Sequence, residues 1–445
     1  MKHIALITTG MVGITNASIE LANRLINEGH DITYLSPIDI KEKVINSGLN
    51  YVQLPEINFY LSIKEHLIPS AKKKHLIQAY FYVLTHLKTI LNKGIISLKL
   101  HEYENILKKV NPDLVLVDVE VHEAILAALK LNIKTQLLSQ HLFDQRRVNL
   151  PSITTGIIPK KGLSGSSIGI ELSWWKLKLT QYARAQFNKL RLMYNRKSVL
   201  FFYKKKHGIT GLKTANRRFP SDFIYPKFDT LFMVMPEIEF PLKKPKNIHY
   251  LGPMINTKRE TSQIPEDLKK LVDQKHKKNA KLIYCSLTTM KNMGDLNFIK
   301  KLIEAVARRS DWILIISLGR TLSEEHYFND LPENVHVYSW IPQLYILSNA
   351  DCSINHGGIH TINECLYFKV PMLIYSGKKY DQDGCAARIF YHNLGLCGDK
   401  DKDDVETINY NIDYLLKNKS IQKNLNTLKL QLDIYERQEI TPYLS

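Results

Sequence analysis

Apolar and polar positions along this chain switch between two periods. Short apolar runs of the buried-strand type occur at Ile4-Ala5-Leu6-Ile7, Ile32-Thr33-Tyr34-Leu35, Leu114-Val115-Leu116-Val117 and residues 135–139. Between them apolar residues recur at helical spacing, as at Ile19, Ala22, Leu25 and Ile26. Gly10 and Gly13 punctuate the first loop. Ser18 is the expected N-cap, with Glu20 adding negative charge near the helix start, and Gly29 stops the helix. A further helix is expected from about Glu123 to Leu131. Repeated βαβ units imply a parallel sheet covered by helices on both faces. Residues 236–256 hold Pro236, Pro241, Pro245 and Pro253 with Gly252 and read as an interdomain linker. The rhythm then restarts, with strands expected at 282–286, 313–317, 335–338, 351–354 and 372–375. The expected fold class is α/β, with two doubly wound domains in tandem and a cleft between them.

Composition narrows the function classes. At 445 residues the chain suits two domains, each able to bury a core. Met1-Lys2-His3 runs straight into an apolar strand, which leaves no room for a secretory signal, and no apolar run reaches the roughly 20 residues a membrane span needs. The five cysteines are odd in number and never spaced Cys-x-x-Cys, which argues against a disulfide framework or zinc site and for a reducing compartment, so a cytoplasmic location is expected. The formal charge of +18 suggests an anionic partner. Much of it falls between Glu171 and Arg218, where thirteen Lys or Arg face a single acid, Glu171 itself. Leu172, Trp175, Leu179, Tyr182, Leu190 and Met193 share one side of a helix there, and Trp174 adds aromatic surface. Two readings stay open: a core-facing helix with a solvated basic face, or a surface element touching an anionic membrane at its inner face and admitting a greasy acceptor. No nucleic-acid module is recognisable, so nucleic acid is not expected as a partner.

Candidate chemistry concentrates between Ser339 and Gln382. Trp340 offers a face for a flat base, and the helix expected to open near Gly357-Gly358, after the strand Cys352-Ser353-Ile354, presents free N–H groups to a diphosphate. His356 and Thr361 add donors, Glu364 has two oxygens for a vicinal diol, and Asp381 with Gln382 suits sugar hydroxyls. Singly, Trp340, His356 and Glu364 fit a core anchor, a turn residue and a surface charge; together and in this order they fit a nucleotide-sugar. No Asp-x-Asp pair stands at a strand end, so no metal is expected. Asp118 and His141 fall where parallel strands hand over to their loops, the edge at which such sheets bind ligands.

The segment from Ser339 to Gly395 resembles the donor signature of the UDP-glycosyltransferase family with the GT-B fold. His356-Gly357-Gly358 through Glu364-Cys365-Leu366, Val370-Pro371, Asp381-Gln382 and Ala387-Arg388 are similar to its bacterial branch, which includes carotenoid (zeaxanthin-type) and macrolide glycosyltransferases. The resemblance implies two Rossmann-like domains facing a cleft, the acceptor-binding one over 1–235, with 171–218 as an acceptor- or membrane-facing insertion. It implies a nucleotide-sugar domain over 257–425 and a final helix, 426–445, crossing back. It also implies an inverting, metal-free transfer of a hexose, glucose by the Gln at 382, from UDP to a lipophilic hydroxylated acceptor, the UDP-sugar being co-substrate rather than cofactor. By position, Trp340 with Ile341 and Gln343 would meet the base and ribose, His356, Gly357, Gly358, Thr361 and Thr289 the diphosphate, Glu364 the ribose, and Asp381 with Gln382 the sugar. His360 stands where Asn is frequent and reads either as a phosphate donor or as a helix-surface residue. Gly13, Ile14 and Asn16, with Trp174 and Trp175, would line the acceptor side. Family members commonly carry a catalytic His where this chain has Ile14. Asp118, Glu120, His122 or His141 then stands in as base, or the acceptor needs little help, or the chain is a catalytically degenerate nucleotide-sugar-binding partner. A nucleotide-sugar epimerase on the same fold is a further rival.

Overall fold

In a computed structural model of the chain, residues 1–58, 61, 76–190, 195–214, 223–241, 243, 245–259, 264–287, 293–319 and 330–444 are described. The first domain is built on β1 (His3–Ile7), β2 (Asp31–Ser36), β3 (Asn50–Gln53), β4 (Leu114–Asp118) and β5 (Thr135–Ser139). A short antiparallel ribbon, β6 (Lys213–Thr214) with β7 (Phe223–Ile224), precedes β8 (Thr230–Phe232) and β9 (Ile248–Tyr250). Apart from that ribbon the strands form one parallel sheet in the order β3-β2-β1-β4-β5-β8-β9. The second domain holds β10 (Lys281–Ser286), β11 (Trp312–Ser317), β12 (Val335–Tyr338), β13 (Cys352–Asn355), β14 (Met372–Ile374) and β15 (Gly395–Cys397), parallel in the order β12-β11-β10-β13-β14-β15. The strands nearest each centre, such as Leu114–Val117 and Leu282–Cys285, are fully buried, as continuous apolar runs between two helical layers require. In both sheets the order reverses beside a central strand, β1 next to β4 and β10 next to β13, and opens a crevice at the carboxyl ends.

Three expectations need correction. The first helix spans Val12–Asn27 with Met11 as its N-cap, so Gly13 lies in its first turn and Ser18 in its interior. The Ser18 hydroxyl donates to the Ile14 carbonyl (2.7 Å), a back-bond that lets a capping residue type sit inside a helix. Part of the expected linker is β9, because Ile248 and Tyr250 are buried at the edge of the first sheet. The helix Ser167–Leu190 is not core-facing on the side carrying Leu172, Trp175, Leu179 and Tyr182, which is exposed; Ile170 and Trp174 on the opposite side are buried. Leu190 and Met193 fall outside the described side chains.

The chain end returns to the first domain. After the helix Lys419–Arg437, the Tyr435 carbonyl accepts from Arg24 (3.0 Å), Glu28 accepts the N–H groups of Ile440 (2.8 Å) and Thr441 (2.7 Å), and Gln136 donates to the Tyr443 carbonyl (2.7 Å). A second tie is ionic and buried. Arg388 Nε donates to Glu239 (2.9 Å), with side chains only 1% and 3% exposed. The other Glu239 oxygen accepts the Phe143 N–H, its carbonyl accepts from His392 Nε2 (2.7 Å), and the Phe240 ring lies 4.5 Å from the Arg388 guanidinium. Around this pair one apolar core joins Phe143, Leu150 and Ile153 to Cys385, Ala387 and Ile389. Arg388→Met should leave Glu239 as an uncompensated buried charge and cost about 3–5 kcal/mol, lowering the thermal midpoint. Glu239→Gln in the same chain should restore part of the loss, and scanning calorimetry on the two variants checks both statements.

Candidate functional site

The carboxyl ends of the two sheets face each other, and the side chains there follow from where each strand stops. In the second domain β12 ends at Tyr338, and the chain passes through Trp340 into the short helix Gln343–Leu347. Trp340 is 49% exposed, whereas Ile341 is buried in the core. Gln343 accepts from Tyr284 Oη (3.0 Å) and donates to one Glu364 oxygen. Arg259, from the 3-10 turn Thr257–Arg259, donates to the other. Glu364 is therefore buried and held on both oxygens.

β13 ends at Asn355, and the helix Ile359–Phe368 begins after Gly358. Gly357 has φ +85°, open to glycine at little cost, and a Cβ there would lie 3.0 Å from the Gln382 carbonyl oxygen. Asn355 Oδ1 accepts the Gly357 N–H (2.9 Å) and fixes the turn. The helix start, with His356 and Thr361 beside it, carries the N–H groups and the positive dipole end suited to an anion. β14 leads to Asp381, which caps the helix Gln382–Tyr391, and Gln382 Oε1 accepts the Gly377 N–H (2.9 Å).

The first domain contributes from β4, β5 and its first helix. Asp118 ends β4 fully buried; one oxygen accepts the Glu120 N–H (3.0 Å) and Oδ2 makes no hydrogen bond. His141, just beyond β5, lies between Glu120 (Nε2 to Oε1, 3.4 Å) and Asp381 (Nδ1 to Oδ2, 3.5 Å) and so spans the two domains. Burial works against its charge, but contacts with Asp381 and Glu120 outweigh it and hold His141 well above the usual histidine range. Burial raises Asp381 too, and the His141 contact reverses it, leaving Asp381 low. Asp118 is pushed up to about 7 by burial and then by the Glu120 charge, with His141 opposing. His360 is pushed down to about 4 by burial and by the His141 charge. It is not a free helix-surface residue: its ring meets Gly13, where an added Cβ would lie 2.7 Å from Cδ2.

Several expected residues fall elsewhere. His122 points into the first domain, bonded to Tyr225 Oη (2.6 Å) against the Phe223 ring, and burial depresses its pKa; its candidacy as a base is corrected. Ile14 is buried, and Asn16 accepts from Lys43 rather than facing the cleft chemistry. Trp174 is buried with its N–H on the Leu150 carbonyl (2.8 Å), while Trp175 is 48% exposed. Thr289 lies outside the described residues. Sequence reasoning missed Arg259, whose only signal is a cation just after the proline-rich stretch, and gave Glu120 no partner. Among the described residues no group of three or more His, Cys, Asp or Glu is placed to hold a metal ion.

Comparisons with known proteins give relatives over part of the chain and likenesses of fold over nearly all of it. Residues 301–433 match the model for the C-terminal domain of erythromycin biosynthesis protein CIII-like proteins. The NDP-glycosyltransferase YjiC of Bacillus subtilis (strain 168) is 28% identical over 183 residues, 40% of this chain and 43% of that protein. The zeaxanthin glucosyltransferase of Pantoea ananas is 26% identical over 163 residues, 36% of each. The matched stretch spans less than half the length of these curated relatives. Among solved structures, the glycotransferase of kitacinnamycin aligns over 98% of this chain and 95% of its own (TM-score 0.67, 19% identity). The glycosyltransferase VinC, in complex with DTDP, aligns over 97% and 95% (TM-score 0.61, 15% identity). Both likenesses cover the two domains together.

The Gly13–His360 contact is a point where the halves of the cleft meet, and it can be tested by overpacking. Gly13→Ala should cost about 1–3 kcal/mol. His360→Ala in the same chain should remove the clash and return the thermal midpoint to that of His360→Ala alone. A double variant that melts at the Gly13→Ala temperature would show that His360 is not what the methyl meets.

Proposed function

We propose that this chain, a member of the UDP-glycosyltransferase family with the GT-B fold, moves a hexose from UDP to a hydroxyl group of a lipophilic small molecule, with inversion at the anomeric carbon. Glucose is the sugar favoured by Gln382. The observation that carries the reading is the His141–Asp381 contact, because it brings the acidic strand end of the first domain to the sugar end of the donor signature.

In this reading Trp340 stacks on the base, Glu364 and Gln343 take the ribose, and the helix start at Gly358-Ile359 takes the diphosphate. The acceptor oxygen attacks the anomeric carbon while its proton passes to Asp118 Oδ2. The bond from that carbon to the β-phosphate oxygen breaks, and UDP leaves with the electron pair. Its new charge is met by the helix N–H groups, His356 and Arg259, so no metal is needed to carry it. His141, kept protonated, cannot accept the proton; it orients Asp381 and offsets the negative charge around Asp118. Met11 and Val12, 47% and 73% exposed beside Gly13, give the acceptor side an apolar lip. All five cysteines are free, which fits a reducing, cytoplasmic setting.

The test is transfer from UDP-glucose to a panel of phenols, sterols and carotenoids, alongside UDP binding by calorimetry. Turnover on at least one acceptor is expected. UDP binding without turnover on any would favour the degenerate binding partner that Ile14 suggests, and an epimerised sugar formed without acceptor would favour an epimerase. Asp118→Asn should lower kcat by about 10²–10⁴-fold while leaving UDP affinity intact. The ionised carboxylate is the active form, so kcat/KM should rise as pH passes through about 7 and level above it, and that acid limb should vanish in Asp118→Asn. His356→Ala and Glu364→Ala should instead raise the donor KM. Unchanged UDP-sugar kinetics in both would refute the donor site.

A further inference from the structure

The helix Ser167–Leu190 carries apolar side chains on two opposite faces. Its 24 residues extend about 36 Å at 1.5 Å per residue. Ile170 and Trp174 face inward, with Leu177 half-buried one turn on, and Trp174 pins the helix to the Leu150 carbonyl. On the far side Ile168, Leu172, Trp175, Leu179 and Tyr182 recur every three or four residues. They are exposed at 73, 63, 48, 60 and 62%. At about 3.6 residues per turn this stripe lies opposite the inward one. A soluble surface helix leaves its outer face polar, and one that is apolar all round normally has cover on both sides.

The geometry points to this outer stripe as a docking surface for an anionic lipid bilayer. Charge selects the occupant. Lys176 lies along one border of the stripe and Lys178 along the other, the latter 4.7 Å from the Trp175 ring. Cations so placed can reach phosphates while their stems lie on apolar surface. The one acid of the helix, Glu171, is already bound by Arg146. A second copy of the helix would set these basic borders against each other. The chain's +18 charge favours an anionic surface in the same sense. Among the described residues no helix is long and apolar enough to cross a membrane, so the contact is with the surface. The inference stands apart from the transfer reaction and is tested without it.

The full-length protein is sedimented with phosphatidylcholine vesicles, with and without phosphatidylglycerol. It should pellet with the anionic vesicles alone, and high salt should weaken the partition. Tryptophan emission should shift to the blue on binding, and Trp175→Phe should lose that shift. Leu172→Ser with Leu179→Ser should lower the partition at least tenfold. Both are exposed positions, so the thermal midpoint should not change. Wild-type protein left in the supernatant, or a double variant that pellets as well as wild type, would overturn the proposal. So would a concentration-dependent dimer in sedimentation velocity that the double variant abolishes, because the stripe would then belong to a second copy of the chain.

Discussion

Of the ties between the two halves of this molecule, the buried Glu239–Arg388 ion pair is the one most withdrawn from water. Glu239 and Arg388 are almost wholly withdrawn from water, and each is bound by more than the other. Glu239 also takes the Phe143 N–H, and Arg388 donates to the Gly384 carbonyl (3.1 Å). Desolvating two charges costs several kcal/mol per ion unless geometry and further hydrogen bonds compensate. Burial above all, and the Asp144 charge in a smaller way, raise Glu239, with Arg388 pulling the other way, so the pair is stable only while both partners stay in place. What such a pair adds is position. Phe143 lies two residues beyond His141, and Arg388 lies seven beyond Asp381 on the helix that Asp381 caps. Fixing the one pair therefore fixes the span across which the other pair forms.

The cleft between those anchors is internally neutralised. Glu364 is held by Gln343 and Arg259, and Asp381 by His141. On the proposed function, a nucleotide-sugar would share or replace these contacts, so that binding would exchange one set of charge-assisted hydrogen bonds for another. Such an exchange would suit a site that has to release an anionic product as readily as it binds the donor. It also explains how three carboxyl groups, Asp118, Glu120 and Asp381, can gather around one imidazole. The cation at the centre lowers Asp381, while Asp118, deeper and nearer to Glu120, stays high. Two carboxyl groups on one histidine thus end with opposite shifts, set by depth and by the nearest charge.

Much of this was legible in the residue pattern. Every strand of the second sheet from β10 to β14 lies within a residue or so of the span its apolar run predicts, because buried parallel strands leave an unmistakable signature. Trp340, His356 and Asp381 stand in the short stretches between a strand end and the next helix, and Glu364 lies inside the helix that follows β13. What could not be read was whatever depends on contacts across the chain. His122 and His141 look alike in sequence, each just past a strand end. Only packing sends the first against Phe223 and Tyr225 and the second between two carboxylates. Arg259 escaped notice because a cation beside prolines carries no local signal, and Ser18 misled because a capping residue type is equally content with a back-bond inside a helix.

Ile14 occupies the position at which the resemblance leads one to expect a histidine. With the helix starting at Val12, residue 14 is turned into the protein, and an isoleucine satisfies that burial where an imidazole would need a partner. The cleft side of that first turn is left to Gly13, and the absence of a side chain there is what admits the His360 ring from the opposite domain. His360 is in turn held neutral by burial and by the His141 charge, so it fills space without adding to the positive charge already at the helix start. On the proposed function, the proton-accepting role would fall to the group that burial and the Glu120 charge bring nearest neutrality, which is Asp118. Ile14 thus has a glycine beside it and a histidine facing that glycine, and on the proposed function proton acceptance would lie at the end of a strand rather than in the first loop.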